Sequence, residues 1–183
     1  MREYEAVVFD MDGVIFDSEK KVVECWQVLA DKYGFTGIEE ACRACLGTTK
    51  EKSKEIMLQR YGEDFPYETY SAEASKLFHE RYDGGRLPKK TGIEKILQAL
   101  SQEGKKIALA SSTRRQTVES QLREAGLIGY FDKIICGDMV EKSKPEPDIY
   151  LYGAKVLGKA PASCIAIEDS AAGIQSAAAA GCM

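Results

Sequence analysis

Val7-Val8-Phe9-Asp10-Met11-Asp12-Gly13-Val14 is the stretch on which the fold of this chain turns. An apolar run that begins at Ala6 stops at the carboxylate of Asp10, and Asp12 follows two places later with Gly13 behind it. A short run rich in β-branched and aromatic residues suits a central strand of a parallel sheet. Ligands collect at the carboxyl ends of such strands. Two carboxylates held close together repel and raise each other's pKa, so a site built on them calls for a cation. Mg²⁺ suits hard oxygen ligands and binds through few carboxylates together with substrate phosphate. One carboxylate can then attack while the other handles a proton. The same residues also read as a strand followed by an Asp-Gly turn, and this stretch alone leaves both readings open.

Composition narrows the class. The 183 residues are enough for one ordinary domain, or for a core with a smaller insertion. A hydrophobic fraction of 44% with 30% charged residues is that of a globular protein in water. The net charge of −4 is interspersed, without the basic stripe of a nucleic-acid binder or a polybasic membrane patch. No apolar segment has the length of a membrane span, and the charged start is unlike a signal peptide, so a cytoplasmic location is expected. Six cysteines sit mostly in apolar or helical surroundings, as reduced core thiols do. Cys42 and Cys45 form the one spaced pair, but it falls in a helical pattern, and His79 is the single histidine, so neither redox chemistry nor structural zinc is expected.

After Asp17 the apolar period changes to that of helices. Val22, Val23, Trp26, Leu29 and Tyr33 form one stripe, with Ser18 as a cap and Gly34 as a stop. Thr36 with Glu39, and Thr48 with Glu51, read as capping boxes of two further helices, the first closed by Gly47 and the second by Gly62. Pro66 suits the first turn of a fourth, which continues to Gly84-Gly85. From Leu87 helices and strands alternate: a helix capped by Thr91 and Glu94, a strand over residues 106–110, a helix closed by Gly126, a strand over residues 133–136, a helix bearing Tyr152 and Val156, a strand over residues 164–167, and an alanine-rich helix. The fold expected is therefore α/β, a parallel Rossmann-like sheet flanked by helices, with residues 1–16 and 86–183 as the core and residues 17–85 as an inserted helical domain. The chain crosses between the two near residues 16–18 and 84–88.

Polar residues recur at three strand ends: Asp10 and Asp12, then Ser111, then Glu168 and Asp169, with Lys144 before a Pro-rich turn. In a parallel sheet these ends share one edge. Carboxylates for Mg²⁺ and attack, with a hydroxyl and a lysine for phosphate oxygens, suit phosphoryl transfer.

With these residues in order, the chain resembles the haloacid dehalogenase superfamily of aspartate-nucleophile phosphotransferases over essentially its whole length. The motifs that carry the resemblance are Asp10-Met11-Asp12-Gly13, Ser111 after Ala108-Leu109-Ala110, Lys144 in Lys144-Pro145-Glu146-Pro147-Asp148-Ile149-Tyr150, and Ile167-Glu168-Asp169-Ser170. The resemblance implies that Asp10 is the nucleophile, becoming an aspartyl-phosphate, and that Asp12 is the acid and base. It implies that Ser111 and Lys144 hold phosphoryl oxygens, and that Mg²⁺ binds Asp10, the backbone carbonyl of Asp12, Asp169 and, directly or through water, Glu168. The insertion looks like the small cap of the branch holding β-phosphoglucomutase, phosphoglycolate phosphatase and sugar-phosphate phosphatases, where Lys50 stands at a substrate-facing basic position. Mutases of that branch carry a histidine four residues after a hinge Ser or Thr. Counted from Ser18, this chain has Val22 there, so hydrolysis of a small phosphorylated metabolite is expected over mutase activity. Two other readings are a phospho-accepting receiver, whose acidic pair and acceptor lie on different strands without a helical insertion, and a phosphate-binding relic of the fold. A strand is expected past Met183 to cover the edge of the strand ending at Ile167, with a monomer as the consequence.

Overall fold

The structure is a computed structural model that describes residues 3–45, 48 and 50–183. The chain forms two compact units, Met1–Asp17 with Leu87–Met183, and Ser18–Arg86.

In the first unit β1 (Ala6–Phe9), β2 (Lys106–Ser111), β3 (Lys133–Cys136) and β4 (Cys164–Ile167) form a parallel sheet in the order β3-β2-β1-β4. All four residues of β1 are buried because it is a central strand, flanked by β2 and β4. On one face Ala6, Val8, Ala108, Ala110, Ile135 and Cys164 pack with Ile149, Tyr150 and Ala154 of α7 (Asp148–Leu157) and Ala177 and Ala180 of α8 (Ala171–Ala180). By strand alternation Val7, Phe9, Ile107 and Leu109 turn to the other face, and all four are buried. Each such aliphatic side chain contributes about 1.5–3 kcal/mol on burial. α5 (Ile93–Gln102) packs against β2, and α6 (Arg115–Glu124) against β3. The small side chains of Ala108 and Ala110 on β2 leave room for α7 to pack on the sheet.

The chain leaves and re-enters this unit through paired backbone. Phe16 bridges Lys89 in antiparallel sense, Asp17 N–H donates to the Pro88 carbonyl at 2.9 Å, and Lys90 Nζ pairs with Asp17 Oδ1 at 2.9 Å. At the other end Met183 lies along β4, donating to the Cys164 carbonyl and accepting from Ala166 N–H.

The second unit holds α1 (Ser18–Tyr33), α2 (Ile38–Cys45), α3 (Lys50–Tyr61) and α4 (Tyr67–Tyr82) around Trp26, Leu29, Ile38, Met57, Tyr67 and Ala74. Trp26 stacks near Tyr67, with ring centroids 6.1 Å apart, in the interior expected of the aromatic stripe. Among the described residues no helix is long and apolar enough to cross a membrane.

Several local expectations are corrected. Val22 and Tyr33 are 40% and 42% exposed rather than inside the α1 stripe, and Tyr33 stacks on Tyr70 while its hydroxyl donates to Glu73. Pro66 is the N-cap of α4 rather than a first-turn residue. α5 is opened by Gly92 at φ 88°, a left-handed conformation suited to glycine, and the Glu94 carboxylate pairs with Lys89. The stop expected at Gly47 lies outside the described residues. Cys42 and Cys45 are free thiols, and burial pushes Cys42 up to about 12, the opposite of a reactive thiolate.

Candidate active site

The order β3-β2-β1-β4 places a topological switch beside β1, since the chain steps outward from β1 through β2 to β3 and then returns to its other side as β4. Crevices for ligands open at the carboxyl ends of strands at such a switch. Asp10 stands there, one residue past β1, and its N–H donates to the Ile167 carbonyl at the end of β4 at 2.9 Å. Glu168 and Asp169 follow β4 directly.

Among the described residues, Asp10, Glu168 and Asp169 can each offer a carboxylate oxygen within 4.8 Å of the others. Lys144 reaches into this group from the turn before α7, through a cis Lys144–Pro145 bond. Its Nζ donates to Asp10 Oδ1 at 2.7 Å, Glu168 Oε1 at 2.6 Å and the Ala110 carbonyl at 2.9 Å, which uses all three ammonium protons. Three carboxylates against one ammonium leave a negative centre. Burial pushes the Asp10 carboxyl up to about 7; Lys144 opposes the shift, while Glu168 and Asp12 add to it. Burial also raises Asp169, with Glu168 contributing.

These residues fit a hard divalent cation: the donors are carboxylate oxygens, their excess charge is negative, and the loop backbone comes close. Gly13, at φ 74°, passes so near that a Cβ there would lie 1.6 Å from Asp169 Oδ2. The Asp12 carboxylate is outside the three-carboxylate group, and its Oδ2 accepts from Thr113 Oγ1 at 3.1 Å. Ser111, at the end of β2, is buried and its Oγ accepts from Thr113 N–H at 3.1 Å. Lys50, at the start of α3 in the other unit, is exposed and pairs with Glu68 at 3.2 Å.

The structure adds residues that spacing did not single out. Tyr150 is wholly buried, and its hydroxyl donates to the Glu168 oxygen that Lys144 also touches. Burial, reinforced by Glu168, raises its pKa far above that of an ordinary phenol. In the sequence it stands only as the last residue of the Lys144 motif, with nothing to name its polar partner. Ser170 caps α8 by accepting from Gly173 N–H at 3.0 Å. A Cβ on Gly173 would meet the Glu168 carboxylate at 2.0 Å. In an ordinary helix interior Gly→Ala stabilises by about 0.5–1 kcal/mol. Here Gly173→Ala is expected to displace Glu168 and lower the melting temperature, as thermal scans would show.

The fold and the site define a parallel α/β protein with an acidic, lysine-bridged centre at the switch point of its sheet. Residues 7–183 match the haloacid dehalogenase-like hydrolases, and the chain belongs to that family. It is 31% identical over 182 residues to a phosphorylated carbohydrates phosphatase of Thermotoga maritima, covering 97% of this chain and 82% of that one. It is 34% identical over 185 residues to a β-phosphoglucomutase of Bacillus subtilis, covering 97% and 80%. A solved family hydrolase from Deinococcus radiodurans, with bound phosphate and sodium, superposes with a TM-score of 0.82 at 28% identity, covering 98% of this chain and 78% of that one.

Proposed function

We propose that the protein is a Mg²⁺-dependent phosphatase that hydrolyses a small phosphate ester of the sugar-phosphate or phosphoglycolate type through an aspartyl-phosphate on Asp10, with residues 18–86 as its cap. The observation that carries this reading is the bridge from Lys144 to both Asp10 and Glu168, which brings three of the four motifs to one point. The names of the Thermotoga phosphatase and the Bacillus mutase support a phosphorylated sugar as the substrate class.

In this mechanism Asp10 attacks phosphorus and the ester oxygen departs with a proton from Asp12. Water, deprotonated by Asp12, then attacks the aspartyl-phosphate and releases inorganic phosphate, which restores both carboxyl groups. Lys144 and the Ser111 hydroxyl hold phosphoryl oxygens, and Lys144 exchanges its bond to Asp10 for one of them. Asp10, Asp169, the Asp12 carbonyl and, directly or through water, Glu168 would hold Mg²⁺, which would supply neutralisation of charge on the phosphoryl group. Lys50 is a specificity residue of the cap. Release of phosphate from 4-nitrophenyl phosphate with Mg²⁺, abolished by a chelator, tests the reading.

Transfer between sugar positions is the second reading, favoured by the 34% identity to a β-phosphoglucomutase. Val22 has no imidazole for that role and is 40% exposed on α1. Phosphate release from hexose phosphates is expected to exceed interconversion of glucose 1-phosphate and glucose 6-phosphate. Efficient interconversion with little phosphate release would reverse the assignment.

A further inference from the structure

We propose that Thr113 is the positioning residue for the acid and base Asp12, an inference that rests on the phosphatase reading above. Its hydroxyl donates to Asp12 Oδ2 at 3.1 Å, across the gap between the loops that follow β1 and β2. The carbonyl-type oxygen of a carboxyl group is the better acceptor, so the bond favours Oδ2 as the acceptor and Oδ1 as the oxygen from which the proton leaves.

Thr113 is itself held at its other polar groups. Its N–H donates to Ser111 Oγ at 3.1 Å, and its carbonyl accepts from Gly137 N–H at 3.2 Å at the end of β3. Gly137 is required for that contact, because a Cβ there would fall 2.2 Å from the Ser112 carbonyl. Asp138 completes the brace by accepting from Arg115 N–H at the start of α6, at 3.3 Å. The ends of two strands, β2 and β3, thus hold Thr113, and its hydroxyl bears on the one site carboxylate left outside the metal group. A side chain held by an anchored neighbour loses less freedom on reaching the geometry for proton transfer, and misplacement by about 1 Å can cost about 10²-fold.

The proton step separates this role from a structural one. As the ester P–O bond breaks, Asp12 gives its proton to the departing oxygen; 4-nitrophenolate leaves readily without it, and phenolate or an alkoxide does not. The kcat/KM ratio covers the path up to that cleavage, so it reports the acid step alone. Thr113→Val keeps the shape and removes the donor. Its kcat/KM is expected to fall about 10- to 100-fold with phenyl phosphate and less than about 3-fold with 4-nitrophenyl phosphate. Thr113→Ser should restore both. Thr113→Ala replaces the valine variant if circular dichroism shows that it does not fold. An equal fall with both esters, or no fall, would overturn the proposal. Asp12→Asn, measured alongside, should show the same selectivity more strongly. If it does while Thr113→Val does not, the positioning role fails and the phosphatase reading stands. If Asp12→Asn shows none, the acid assignment fails and the positioning role with it.

Discussion

Asp10→Asn is expected to abolish phosphate release, with a loss of at least about 10³-fold in kcat, while the protein stays folded. The amide matches the carboxylate in shape, keeps an oxygen for Lys144, and cannot form an acyl-phosphate. The stability side has a definite sign. In the metal-free protein the buried Asp10 carboxyl is pushed up to about 7, against about 3.9 for an unfolded aspartate. The native state therefore binds more protons than the unfolded chain between those values, and stability rises as pH falls from about 7 towards 4. Asp10→Asn removes this contribution, so in the presence of a chelator its melting temperature at pH 8 should be no lower than that of the parent. Wild-type turnover by this variant, checked by release of phosphate, would remove Asp10 from the nucleophile's role.

Lys144→Met carries the second large effect. The ammonium and its partners are secluded, with side-chain exposures of 7% for Lys144, 11% for Asp10 and 3% for Glu168. Breaking a buried ion pair from one side costs about 3–5 kcal/mol, because the remaining charge is left without compensation. Here two carboxylates lose their partner at once, and the Asp10 carboxyl, which Lys144 holds down, should titrate higher still. Denaturant unfolding of Lys144→Met in a chelator should show a loss of that size. Added Mg²⁺ should recover part of it, and activity should fall at least about 10²-fold. The double variant Lys144→Met, Glu168→Leu should be more stable than the single one, since removing both members of a buried pair leaves less uncompensated charge. Equal stability of the parent and Lys144→Met would mean that water screens the cluster.

The sequence by itself determined β1 and its terminal carboxylate, the alternation of strands and helices after Leu87, and the three later motif positions. These signals are local: an apolar run that ends at a charge, a period that changes from strand to helix, a glycine after the last helical residue. β3 and β4 carry the bounds expected of them for that reason. Only the tertiary structure decided which groups meet. Lys144 and Asp10 are 134 residues apart, and Thr113 and Asp12 are 101 apart; both contacts exist because β1 lies between β2 and β4 in the sheet. Tyr150 stands in the sequence only as the last residue of the Lys144 motif, and the fold brings its hydroxyl to Glu168. Gly173 reads as a weak point in an alanine-rich helix, although its missing Cβ leaves room for the Glu168 carboxylate. Val22 and Tyr33 keep helical spacing yet are exposed, because periodicity gives the face of a helix while the neighbouring helices set how wide a stripe they cover. Hydrophobic pattern and turn chemistry act within a few residues of their own position, whereas the partners of a buried polar group are set by the order of the strands in the sheet.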